Sequence, residues 1–127
     1  MKKVWIGSAV MMFALFCNGL MAWNVKLQWD QNDPAENITE YGVYKSTASG
    51  TGFNKIATVA ANDAAGDPVA QPEYNDENIA AGLGPFFYVI TAVNDNGESD
   101  FSNEVRADEP LVPTAPVGLT IEVSLGP

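Results

Sequence analysis

The chain has no histidine and a single cysteine in 127 residues. Without imidazole there is no serine–histidine triad, no histidine-ligated zinc and no histidine general base. Positive charge is scarce too. Six Lys and Arg stand against 16 Asp and Glu, a formal net charge of −10 with a pI near 4.1. That balance opposes nucleic-acid binding, which relies on Lys and Arg to neutralise phosphates. The length suits one domain rather than two. No segment offers a convincing amphipathic helix, and no internal repeat is visible.

Long apolar runs are also missing, apart from one at the N-terminus. Lys2 and Lys3 precede a mostly apolar stretch from Val4 to Phe16, and Leu20-Met21-Ala22 puts a small residue at a cleavage position. This three-part pattern predicts a secretory signal peptide over residues 1–22. The run is too short for a membrane anchor and is interrupted by Asn18 and Gly19. Phe16 occupies the place where a lipoprotein needs a small residue before Cys17. The expectation is a secreted or extracellular protein that does not span a membrane once the signal is removed. Removing 22 residues leaves 105, with Lys26, Lys45, Lys55 and Arg106 against all 16 acids, a net −12. No cysteine remains, so no disulfide can form in an oxidising compartment and stability must come from packing.

What fills the remaining chain is alternation. Val25, Leu27 and Trp29 are apolar, with Lys26 and Gln28 between them, the period of a half-buried strand. Ile38 to Lys45 places Tyr41 and Val43 on one face and Tyr44 on the other. Phe53 to Ala60 reads as a strand with Phe53, Ile56 and Val59 as its apolar members, and a short strand centres on Tyr74. Phe86 to Asn94 is β-branched and aromatic almost throughout and apolar on both faces, which places it in the middle of a sheet. Asp95-Asn96-Gly97 then reads as a hairpin turn, and Ser102 to Ala107 as the returning strand. Short strands separated by turn signals predict an all-β sandwich. Its inner face is expected to hold Val25, Leu27, Trp29, Tyr41, Val43, Ile56, Tyr74, Phe86, Tyr88, Ile90, Ala92 and Val105.

Val25-x-Leu27-x-Trp29, Tyr41-Gly42-Val43-Tyr44, Tyr74-x-Asp76, Leu83 to Asn94, and Gly97-Glu98-Ser99-x-x-Ser102-Asn103 together resemble the fibronectin type III family. The resemblance runs over residues 23–107. It implies an immunoglobulin-like Greek-key sandwich of about seven strands, with Trp29 as the core tryptophan of strand B and Phe86, Tyr88, Ile90 and Ala92 as inward residues of strand F. Two departures follow. The family usually has tyrosine where Phe86 stands, so a hydroxyl hydrogen bond of about 1 kcal/mol is lost. Strand A is also absent ahead of Val25. Residues 108–127, a Pro-rich linker and the run Pro113-x-x-Pro116-x-Gly118-Leu119-x-Ile121-x-Val123, look like that strand. Three arrangements remain open for it: the start of a further domain, a strand folded back on its own body, or a strand donated to a neighbour through Leu119, Ile121 and Val123. Asp108 to Ala115 reaches roughly 26 Å when extended, about one sandwich length, so folding back is tight.

Chemistry-bearing residues cluster in two loops, Asp30, Asp33 and Glu36 in one and Asp95, Asn96, Glu98 and Asp100 in the other. Calcium needs several oxygens converging on one point, and neither spacing matches an EF-hand, so no metal or other cofactor is expected. Paired carboxylates for glycoside hydrolysis need a cleft that a lone sandwich rarely has. Trp23 and Tyr44 are candidates for exposed rings that stack on a sugar or a partner, with cross-strand packing as the plainer reading. The resemblance thus implies a non-catalytic binding or spacer module that attaches to a protein or carbohydrate surface on a cell or virion. Self-association through residues 113–127 is the second reading.

Overall fold

The computed structural model describes residues 21–126. The signal-peptide reading falls almost wholly outside the described residues. Seven strands follow one another: β1 (Trp23–Gln28), β2 (Glu40–Ser46), β3 (Asn54–Ala60), β4 (Glu73–Ile79), β5 (Phe86–Asn94), β6 (Gly97–Glu98) and β7 (Val105–Ala107). One 3-10 turn, Pro34–Glu36, lies between β1 and β2, with Asp33 as its N-cap. All strand pairs are antiparallel. β1 pairs with β4 in a two-stranded sheet, while β3-β2-β5-β6 form the other, with β7 also on β5. Both sheets contribute to one core: Trp23 and Leu27 from β1, Ile79 from β4, Val43 from β2, and Phe86 and Tyr88 from β5. The molecule is therefore all-β, with two stacked antiparallel layers, as the alternation predicts.

β5 sits between β2 and the β6–β7 edge, which explains why it needs apolar residues on both faces. Phe86 and Tyr88 enter the core, while Phe87, Val89 and Thr91 on the opposite face are buried as well. Trp29, Ile90 and Val25 are half-buried against the core. Burying each large side chain fully contributes about 1.5–3 kcal/mol, which sustains the fold without a disulfide.

Two expected core members lie elsewhere. Ile56 is 37% exposed. A strand alternates faces, so once Val59 turns inward Ala57 must follow and Ile56 points out. Val105 is 43% exposed although it pairs with the buried Tyr88. It lies on an edge strand that the narrower β1–β4 sheet does not cover. Trp23 follows the plainer packing reading rather than that of an exposed ring. Only 7% exposed, it stacks on Phe86 with ring centroids 6.1 Å apart. The C-terminal segment does not fold back: residues 108–126 form no strand, and Leu119, Ile121 and Val123 are 82–96% exposed.

Candidate binding face

Three side chains tie the two sheets together at one end of the core. The Tyr88 hydroxyl donates to Asp76 Oδ2 at 2.6 Å, and Lys45 Nζ meets the same oxygen at 2.7 Å. Lys45 also lies 4.0 Å from the Phe86 ring centroid, so its charge is shared between a carboxylate and an aromatic face. Burial, then the hydrogen bond to Asp76, pushes the Tyr88 hydroxyl well above the ordinary tyrosine range. Phe86 lacks the hydroxyl that the family resemblance expects there; two residues on, Tyr88 makes a cross-sheet bond of its own.

The outer face of the larger sheet carries a second cluster. Tyr44 tilts against Phe101 with centroids 5.2 Å apart, and Phe101 against Phe53 at 5.4 Å. Glu98 Oε2 accepts from the Tyr44 hydroxyl at 2.5 Å and from Thr91 Oγ1 at 2.7 Å. Thr91 and then Tyr44 hold the Glu98 carboxyl below the usual carboxylate range, while the same bond raises Tyr44. Gly42 makes this closure possible. A Cβ there would lie 2.7 Å from Thr91 Oγ1 and 3.0 Å from Tyr44 Cε2, inside van der Waals contact. A register shift between Val43 and Tyr44 sits beside it on the β3 side.

Phe101 is held out by a break in the sheet edge. Between β6 and β7, two serines stand in for backbone. Ser99 N–H donates to Ala92 O at 2.8 Å and its Oγ accepts from Ala92 N–H at 2.9 Å. Ser102 does the same with Ile90, at 2.8 and 2.9 Å. The ladder therefore continues through side chains, and the intervening Asp100 and Phe101 project from it. Phe101 is 51% exposed. Beside the packed Tyr44 and Phe101 rings lies a shallow open cleft of about 320 Å³, lined also by Thr91, Glu98, Ser99 and Asp100.

The two acidic loops come together at one end of the molecule. Asn94 Nδ2 donates to the Glu36 carbonyl at 2.8 Å, and a shallow groove runs between Glu36, Asn37, Asn94, Asp95 and Asn96. Their polar side chains serve local structure. Asp33 Oδ1 caps Ala35 N–H at 2.9 Å, Glu36 Oε1 accepts from Asn32 Nδ2 at 2.8 Å, and Asn96 N–H donates to Asn94 Oδ1 at 2.8 Å. Gly97 takes φ +142 to close the turn. Asp30, Asp95 and Asp100 are exposed. Among the described residues no three Asp, Glu, His or Cys side chains gather in a way that could hold a metal ion. Of the loop candidates, Glu98 and Asp100 join the aromatic cleft and the others do not.

Sequence reasoning placed Tyr44 on the outer face but missed Phe101 and put Phe53 among strand apolar residues. The usable signal was Phe101 itself, a lone aromatic between Asp100 and Ser102 in a polar stretch.

No family model matches the chain, and no solved structure matches it significantly. Two curated proteins are similar over most of its length. An amylopullulanase of Thermoanaerobacter thermohydrosulfuricus is 37% identical over 95 residues, 74% of this chain. An amylopullulanase of Thermoanaerobacterium thermosulfurigenes is 34% identical over 101 residues, 79% of this chain. The match spans only 5% of either relative. Among the described residues, no helix is long and apolar enough to cross a membrane.

Proposed function

We propose that the chain is an exported, non-catalytic fibronectin type III-like module that attaches to polysaccharide at the shallow cleft beside Tyr44 and Phe101. The cleft's composition carries the reading. Sugars present C–H faces that pack on aromatic rings and hydroxyls that pair with carboxylates and Ser or Thr, and this cleft offers both kinds of group side by side. Phe101, 51% exposed between β6 and β7, leaves one ring surface open to a ligand. The two similar proteins are, by name, enzymes of amylose-type and pullulan polysaccharides, and this chain matches a small part of each. A small accessory region beside a large catalytic body fits that proportion. Glu98 is poorly suited to act as a general acid. A general acid needs a raised pKa, and Glu98 is shifted the opposite way by Thr91 and Tyr44.

Electrophoresis through gels containing amylose or pullulan tests the reading. The native chain should be retarded in at least one of them. Phe101→Ala should weaken that retardation by roughly 3- to 10-fold, the worth of one stacked ring, while its far-UV spectrum stays unchanged. Free mobility in both gels would overturn the carbohydrate half of the proposal. Turnover of either polysaccharide that Glu98→Gln removes would overturn the non-catalytic half.

A further inference from the structure

The two layers differ in width. At about 4.8 Å per strand, the β1–β4 sheet is about 10 Å across, and the sheet facing it is about twice that. β1 stacks Trp23 on Phe86 of β5, whereas β4 sets Asp76 between Tyr88 of β5 and Lys45 of β2. Among the described residues β1 has no partner on its other edge, and that open edge faces the β7 side of the wide sheet. The inner surface there is unfinished. Val105 is 43% exposed, Ile90 and Trp29 are only half-buried, and at the far end from Trp23 a groove of about 340 Å³ is lined by Trp29, Asp30, Tyr41, Ile90, Asp100 and Ser102.

The chain contains a segment with the complementary pattern. Val117, Leu119, Ile121, Val123 and Leu125 alternate with Gly118, Thr120, Glu122 and Ser124. All five apolar side chains are 82–98% exposed. This is the pattern of a half-buried strand, and among the described residues it joins no sheet. We propose that residues 117–125 of one copy of this chain add as a third strand to the open edge of β1 in a second copy, in the antiparallel sense of the other pairs.

Charge selects both the edge and the register. The segment's one charge is Glu122. β4 carries Glu73, Asp76 and Glu77 and repels it, while β1 carries Lys26 and no acid. Setting Glu122 beside Lys26 on the outer face puts Leu119, Ile121, Val123 and Leu125 level with Trp29, Leu27, Val25 and Trp23 on the inner face. Lys26 is free to take this partner, since its bridge to Glu73 is a 3.4 Å contact with both side chains half exposed. Linker stiffness selects a second copy over the same one. Pro110, Pro113 and Pro116 recur every three residues, the repeat of polyproline II, which spans about 3.1 Å per residue and resists doubling back. Reciprocal exchange gives each copy a donated strand and an accepted one. That involves about sixteen residues a side, just below the roughly 20–30 of a stable interface.

Sedimentation across a concentration series tests this on the full chain. The native chain should pass from monomer to dimer or larger assemblies as concentration rises. Ile121→Asp should raise the apparent dissociation constant by roughly 100-fold or more while the far-UV spectrum of the body stays the same. Lys26→Glu should weaken association, and Lys26→Glu with Glu122→Lys should restore it. A chain that stays monomeric at every concentration overturns the proposal. Monomers that Ile121→Asp destabilises also overturn it, because the segment would then be completing its own β1. Association that survives Ile121→Asp, or a charge reversal that fails to rescue, places the contact elsewhere and equally overturns it.

Discussion

Tyr88 shows how much one side chain can decide. It lies on the strand that the sequence marks as most buried, yet its hydroxyl crosses the core to reach Asp76 on the other sheet. A hydroxyl held neutral by burial keeps its proton in the folded state at pH values where the unfolded chain loses it. Above the ordinary tyrosine value near 10 the unfolded state therefore binds fewer protons, and stability falls as pH rises. The limiting slope is about 1.4 kcal/mol per pH unit for one such group. Tyr88→Phe should lower stability near pH 7 by about 1–2 kcal/mol, because Asp76 keeps Lys45 as a partner, and should flatten the decline above pH 10. Urea titrations at pH 7, 9 and 11 check both parts. An equal alkaline decline in the variant would assign it to other groups. Gly42 is the converse case. What matters there is the missing side chain, which lets Thr91, Tyr44 and Lys55 close over the strand. A lone glycine in a strand hints at such an approach but does not name the neighbours.

At the scale of elements, β5 was fully legible. Seven of its nine residues are β-branched or aromatic, which suits the centre of a sheet, and the strand spans Phe86–Asn94 as read. β3 was half legible. Its position followed from composition, but its facing was misread: Ile56 was expected inward, whereas Ala57 and Val59 are the residues packed on the core. The edge formed by β6 and β7 was the least legible. Gly97-Glu98-Ser99 and Ser102-Asn103 stood out in the sequence, but the serines' work as surrogate backbone appears only in three dimensions. Replacing both Ser99 and Ser102 with alanine removes acceptors from the N–H groups of Ala92 and Ile90. Water can reach this edge, so the cost should be modest, about 0.5–1.5 kcal/mol per bond. Amide exchange at those two positions should accelerate by roughly 10-fold, the kinetic image of about 1.4 kcal/mol of local opening. Unchanged exchange would mean that the ladder does not depend on the hydroxyls.

For the whole molecule, charge sets the terms. Sixteen acids against four bases after Ala22 leave a surface that repels itself. Raising NaCl from about 20 mM to about 500 mM shortens the Debye length from about 20 Å to about 4 Å. Screening should raise Tm by about 2–5 °C, measured by calorimetry below the concentration at which copies associate. A flat or falling Tm would show that the few ion pairs, Lys45–Asp76 foremost, outweigh the repulsion. The same excess of acid makes Lys26 the one cation on β1 and gives the open edge its preference for a strand carrying a single carboxylate.

Alternation and composition alone determined the all-β class, the order of strands and most of the core, because burial on a pleated surface demands period two wherever the partner lies. Which rings meet outside the core was a matter for the tertiary structure. Tyr44 and Phe101 are far apart in sequence, and only the Gly97 turn and the serine bridges carry Phe101 back over Tyr44. The state of β1's far edge was likewise set in space. An edge is a relation between strands, and no single strand's sequence says who its neighbour is.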